Sequence, residues 1–488
     1  MKKININVKY IWLFAAALAI SACSNDDDAS SDIEAPKPAL VTGEANFSKY
    51  IAVGASFSGG FTDNALFVAA QTNSFPNMLS QKFALAGGGS FTQPLMADNI
   101  GGFVAGPTVV ANPRLFFNGS GPAVLNATPT TQITDVLSGS FNNYGIPGLK
   151  SFHLGVPGYG FANPYFGRMA STPGATVLGD AAGETPTFFT LSEIGGNDVL
   201  TYATSGGTGV DQTGNVDPST YGSSDITDPN VFAASFSAAV DALIGANDAK
   251  GVVTNVPYIA SLAHFTTVPY NPVPLDSDTA SQLNAGYATY NGGLQFAVSN
   301  NLLTADEAAA RTIVFEESAN NRMVIIDEDL TDLSGFGIPS YRQSTSSDLF
   351  VLPLSSLIPQ GYGTQIPLED KWVLIPSEQA AIKTATDAYN ATIEAVAANK
   401  GLAVVDFKGI LDEAATTGYS SGNFIYTTAL VRGGLISLDG IHLTARGYAI
   451  VANEMMKAID ITYGSNFEAS GNLMDVGTFP TNYPPTLR

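Results

Sequence analysis

Two stretches of the chain repeat one pattern: a long segment with apolar residues at helical spacing, then a short apolar run. "FAASFSAAVDALIGANDAK" (Phe232–Lys250) precedes "GVVTNVP", and "SEQAAIKTATDAYNATIEAVAANK" precedes Gly401 and "LAVVDF". Apolar residues three and four apart make one face of a helix, whereas a short unbroken apolar run bounded by turn residues suits a strand buried on both sides. A helix between two strands carries the chain back to the starting edge, so the strands lie parallel. The pattern predicts an α/β fold: a three-layer α/β/α arrangement with a mainly parallel central sheet. Further strands are expected from Tyr50 ("YIAVG"), over Phe188–Ile194 and at "RMVIID" (Arg322–Asp327). Ser377 is placed to cap the second long helix, and Thr304 with Glu307 forms a capping box for another.

Between these units lie Gly-, Pro- and Ser-rich pieces at about 84–142, 204–230, 266–276 and 333–368. Loops of this length inside a compact domain usually shape a binding site. No internal repeat is found, and residues 47–488 are expected to form one domain with insertions, its tail from Tyr463 an extended wrap or a partly ordered end. A hydrophobic content of 45% can fill a substantial core. Acidic residues outnumber basic ones 43 to 21, giving a net charge of −22. Such a surface repels nucleic acid, so no nucleic-acid partner is expected. One cysteine and three histidines leave too few ligands for a zinc site; no metal is assigned, and an all-oxygen calcium site stays open.

The beginning of the chain reads as a targeting segment. Lys2, Lys3 and Lys9 precede an apolar run, Ile11–Ile20, shorter than the roughly 20 residues needed to span a bilayer. "AISAC" then resembles a bacterial lipoprotein cleavage box. The resemblance makes 1–22 a signal peptide and Cys23 the lipidated first residue of the mature chain, anchored to the outer membrane. The alternative is an ordinary secretory signal with an incidental cysteine. "NDDD" after Ser24 resembles the surface-export signal of Bacteroidetes-type lipoproteins; equally it opens a solvated tether. Residues 23–46 are polar, acidic and proline-bearing and read as a flexible linker.

Four short segments carry candidate chemistry. In "VGASFSGG", Ser56 follows a strand and so would sit at the carboxyl edge of the sheet, where ligands bind in open α/β folds. In "NNYGIPGLK", Gly148 offers a backbone N–H that a substrate can approach closely. In "FFTLSEIGGNDVL", Asn197 follows a strand and Gly195-Gly196, placing a side-chain N–H at the same edge. In "LISLDGIHLTARGYAIV", Asp439 and His442 are three apart before a helix that Thr444 could cap. A serine nucleophile needs a base, and the base needs an acid to hold its tautomer. The other histidines, His153 and His264, have no acidic residue at such spacing.

Taken in order, Ser56, Gly148, Asn197, Asp439 and His442 resemble the blocks of the SGNH, or GDSL-type, hydrolases, over roughly residues 48–460. The resemblance implies a flavodoxin-like fold and a serine ester hydrolase, carboxylesterase- or lipase-like, acting on an ester substrate at the cell envelope without a cofactor. Ser56 would be the nucleophile, His442 the base and Asp439 its partner. The N–H groups of Ser56 and Gly148 and the Asn197 amide would form the oxyanion hole. A carbohydrate O-acetylesterase would use the same residues. One departure stands out: the family's first block usually reads Gly-Asp-Ser-Leu, and here it is Gly54-Ala55-Ser56-Phe57. Ala55 keeps a third reading in view, an inactive glycan- or lipid-binding lipoprotein on the same scaffold. An α/β-hydrolase fits less well, because Ser58 stands where its elbow needs glycine.

Overall fold

The computed structural model describes residues 37–488. The signal segment 1–22, Cys23 and the Asp26–Asp28 run lie outside the described residues. One compact unit spans Leu40–Arg488. Its central sheet has five strands, all parallel: β1 (Tyr50–Gly54), β2 (Asn143–Gly145), β3 (Phe188–Ser192), β4 (Lys250–Thr254) and β5 (Ala403–Val405). Every residue of β1 and β3 is buried, which is why both read as unbroken rather than alternating runs. The spatial order is β2-β1-β3-β4-β5. The chain therefore leaves β1 to one side for β2 and returns to its other side for β3. The crevice at such a reversal, beyond the carboxyl ends of the strands, is where open parallel sheets bind ligands.

The helices that matter for the site are α1 (Ser56–Gly59), α2 (Phe75–Ala84), α3 (Gly196–Thr204), α4 (Pro229–Ile244), α5 (Ser277–Ser299), α6 (Ala305–Arg311), α7 (Pro376–Lys400), α8 (Phe407–Thr416) and α9 (Ala445–Tyr463). The two repeated helix–strand units are α4–β4 and α7–β5. The latter closes as the glycine implied, with Gly401 at φ +63°. Helix α9 packs on α2 and β5, and α7 packs on α3 and α4. None of the described helices is long and apolar enough to cross a membrane.

Several expectations need correcting. Ser377 is not the cap of α7. Pro376, whose fixed φ suits the first helical position, starts the helix two residues earlier than that cap implies, and Glu378 Oε2 accepts the Ile375 N–H at 2.8 Å. Thr304 does cap α6, its hydroxyl accepting the Glu307 N–H at 3.2 Å. The other half of that box is missing, because the Glu307 carboxylate turns to Thr331. The strand in "RMVIID" exists (Val324–Ile326), but it pairs antiparallel with Tyr341–Gln343, outside the central sheet. Together with α5 and α6 it builds a separate apolar cluster around Leu294 and Phe315. The insertion between β4 and β5 thus has a core of its own.

The piece at 84–142 holds two β-hairpins, Phe103–Ala105 with Thr108–Ala111 and Leu115–Phe117 with Pro122–Val124. The linker expected to reach residue 46 ends sooner. Ala45 is buried and the Glu44 N–H donates to the Tyr463 carbonyl at 2.8 Å, so this stretch already belongs to the folded unit. The tail is a wrap. Buried Arg114 reaches it with three hydrogen bonds, to the carbonyls of Tyr483 (3.1 Å), Pro484 (2.8 Å) and Leu487 (2.9 Å).

Candidate active site

Strand β1 must end on glycine. A Cβ at Gly54 would lie 2.1 Å from Ser58 Oγ and 2.7 Å from the Ser192 carbonyl. The chain then turns into α1 with Ala55 at the N-cap and Ser56 as its first residue. An N-cap side chain normally accepts the N–H of the second or third helical residue, and alanine has no acceptor. Glu193, from the turn after β3, supplies one: its carboxylate accepts the N–H of Phe57 and of Ser58, each at 2.8 Å. These are the donors an aspartate at position 55 would be placed to take. The carboxylate missing from the first block is thus present in space, delivered from another strand. Burial pushes Glu193 up to about 8, against the Ser58 and Phe57 N–H groups, which pull it down. Its backbone sits at φ +54°, a left-handed conformation that costs a non-glycine residue strain.

The Ser56 hydroxyl makes no hydrogen bond to any described protein group, although the residue is only 7% exposed. His442 Nδ1 lies 2.9 Å from Asp439 Oδ2. Asp439 Oδ1 accepts the N–H of Ile441 and of His442, both at 2.8 Å. Oδ2 also accepts the Asn64 N–H at 2.8 Å. Burial alone would raise Asp439; the neighbouring His442 and these donors outweigh it and hold the carboxyl well below its usual range. An ionised Asp439 at Nδ1 assigns a proton to that nitrogen. The imidazole is wedged between Phe61 (ring centroids 4.5 Å apart) and Phe57 (5.6 Å), the residue that follows the serine.

Gly148 is exposed, at φ +80°, and its N–H has no acceptor among the described residues. Its loop is tied to the first turn of α3 on one side of the glycine. Asn197 Nδ2 donates to the Leu149 carbonyl at 3.0 Å, and Asp198 accepts the Ser151 N–H and hydroxyl at 2.9 and 2.6 Å. The loops after β1, β2 and β3 therefore carry Ser56, Gly148 and Asn197 to one edge of the sheet, and the turn before α9 brings Asp439 and His442 against the first of them.

Four residues at this site take parts that a reading of the sequence does not show. Glu193 looks like a strand-end charge in "LSEIGG"; a carboxylate directly after a strand-like run was the one available hint. Asp63 and Asn64 form a left-handed turn (φ +52° and +62°) that clasps the loop at Leu438 and Asp439, Asp63 Oδ1 accepting the Leu438 N–H at 3.1 Å. His264, distant in sequence, packs beside the acid and donates its own N–H to the Gly440 carbonyl at 2.9 Å. Burial lowers its basicity. His153 is pushed down to about 4 by burial and by Lys150, and neither can replace His442.

Ser56 lines one space and His442 lines another. On the Asn197 side is a narrow apolar slot of about 40 Å³, walled by Leu200, Ile259, Leu262, Phe407 and Leu411. On the His442 side an open cleft of about 310 Å³ runs between Pro122, Leu352 and Ser355. Ser355 also borders a larger hollow of about 720 Å³ formed by the proline-punctuated insertions. Comparison with protein-family models, curated proteins and solved structures returned no match for this chain.

Proposed function

We propose that the chain is a serine carboxylic-ester hydrolase of the SGNH type, with its three-layer flavodoxin-like arrangement. The observation that carries this reading is the Asp439–His442 pair, its carboxylate held ionised and anchored by three backbone N–H groups, set against the turn that presents Ser56. His442 Nε2 removes the Ser56 proton as Oγ attacks the ester carbonyl. The oxyanion develops toward the N–H groups of Ser56 and Gly148 and the Asn197 amide. Loss of one such donor typically raises the barrier by about 3–4 kcal/mol. His442 then protonates the departing alcohol and activates the water that releases the acid. These steps use side chains and backbone of this chain alone.

The leaving alcohol must lie on the side of its proton donor, in the open cleft, so the acyl group enters the apolar slot. A space of about 40 Å³ suits an acetyl or similarly short acyl group rather than a long chain. A small acyl group on a bulky alcohol is also the chemistry of a carbohydrate O-acetylesterase, and the wide cleft favours that second reading. Lipidation at Cys23 and residence at the outer membrane belong to the same proposal. Hydrolysis of p-nitrophenyl acetate, butyrate and a long-chain ester, beside Ser56→Ala and His442→Ala, tests it. Activity should be highest on acetate and fall at least about 10³-fold in either variant. An inert protein, on these esters and on acetylated sugars, would leave the binding-lipoprotein reading in its place.

A further inference from the structure

Far from the serine, three carboxylates converge. Glu328 follows the antiparallel strand of the insertion, Asp370 opens a 3₁₀ turn (Asp370–Trp372), and Glu378 lies in the first turn of α7. Oxygens of all three lie within 4.8 Å of one another. Among the described residues, no lysine or arginine pairs with any of them; the nearby Lys371 is engaged with Glu369 and Arg342 with Asp327 and Asp348. A cluster of like charges is not in itself a site. Here one member is also anomalous. Glu378 is only 5% exposed, and its Oε1 is buried with no hydrogen-bond partner, although Oε2 is used by the Ile375 N–H. A buried carboxylate oxygen with neither donor nor counter-ion is costly.

The surrounding backbone does not relieve it. The loop after α3 presses directly on the cluster: a Cβ on Gly207 would fall 1.6 Å from Glu378 Oε1, and one on Gly206 2.0 Å from the Asp370 carbonyl. Yet the N–H groups of Gly206 and Gly207 already close the end of α3, on Ala203 and Tyr202. Neither can donate to the acid.

We propose that Glu328, Asp370 and Glu378 bind a divalent cation, calcium by their chemistry, which fastens the β4–β5 insertion to α7 beside the end of α3. Calcium takes oxygen ligands alone, at about 2.3–2.6 Å. Three oxygens on one such ion stand no more than about 5 Å apart, which the observed spacing satisfies. Magnesium, with its tight octahedron and retained waters, fits three converging protein carboxylates less well. The rival arrangement is a proton shared among the acids. Burial and the two neighbouring carboxylates push Glu378 well above the usual carboxylate range, so a proton would take the place that the cation leaves.

The experiment is terbium luminescence with a thermal melt. Trp372 stands two residues from Asp370 and is one of only two tryptophans in the chain, so it can sensitise a lanthanide bound there. Purified protein stripped with EDTA should give saturable terbium emission on indole excitation, displaced by calcium, and lost in Glu378→Gln. Calcium at a hundredfold excess over its Kd should raise Tm by about 3 °C in the unaltered protein. Should Glu378→Gln fail to fold, Glu328→Gln, at an exposed position, is read the same way. Emission equal in variant and parent, together with a Tm indifferent to calcium, would overturn the proposal. A higher metal-free Tm for Glu378→Gln with no calcium response in the parent would do so too, and would identify the shared proton.

Discussion

At the scale of single residues, the turn that carries Ser56 depends on a carboxylate that the local motif lacks. Glu193 does for α1 what an acidic N-cap would do. Glu193→Gln keeps one acceptor but turns an NH₂ group toward the second N–H. The turn should shift, and kcat should fall on the order of 10- to 10²-fold with KM nearly unchanged. The swap Glu193→Ala with Ala55→Asp should recover part of that loss; no recovery would mean that Glu193 acts otherwise than as a cap. Titration offers an independent reading. Glu193 rises from about 4.3 when unfolded to about 8 when folded. The folded chain therefore holds the extra proton between these values, and its stability falls as pH rises through that window. Tm measured from pH 5 to 8 should decline less steeply in Glu193→Gln than in the parent. Asp439 has the opposite sign. Its folded value is depressed, so its contribution is complete above about pH 4 and is lost as pH falls toward the folded value. Ser56, Asn197, Asp439 and His442 were legible in the sequence because each stands beside a small-residue turn or a helix start. Glu193 was not, because its partners lie 135 and 136 residues away and no local pattern records them.

At the scale of elements, the Gly148 loop and α3 form one unit. Asp198 is fully buried and takes both the N–H and the hydroxyl of Ser151, while Asn197 next to it holds the Leu149 carbonyl. Asp198→Asn should leave β3 intact but loosen the Gly148 loop. The expected result is a drop in kcat of about tenfold, with faster amide exchange over residues 147–152 and unchanged exchange in β3. An undisturbed loop with normal kcat would show that Asn197 alone holds it. The helix–strand units α4–β4 and α7–β5 were readable from their periodicity. Where the sequence misled, a local competitor won. Pro376 displaced Ser377 as the helix start, and Val324–Ile326, apolar enough for the central sheet, paired instead with Tyr341–Gln343. Apolarity marks a strand as buried; it does not say which sheet buries it.

At the scale of the whole molecule, widely separated parts of the chain meet at the site. Asn64 binds Asp439 and Asp63 binds Leu438, each across 375 residues, and Arg114 holds the carbonyls of residues 483–487 while resting on the Phe67 ring at 5.2 Å. Arg114→Ala leaves those carbonyls without donors and should destabilise the fold by about 2–4 kcal/mol. It should also open the tail to limited proteolysis before the central sheet unfolds. A tail that stays protected would argue that the Phe67–Tyr483 contact suffices to hold it. The clasp between Asp63-Asn64 and Leu438-Asp439 has a consequence for the protein's biosynthesis. A ribosome that has delivered Ser56 has most of the chain still to make before His442 appears. On the proposed function, the nascent polypeptide until then carries a serine without a base and is inert toward esters. The proposed activity would thereby begin only once folding is complete.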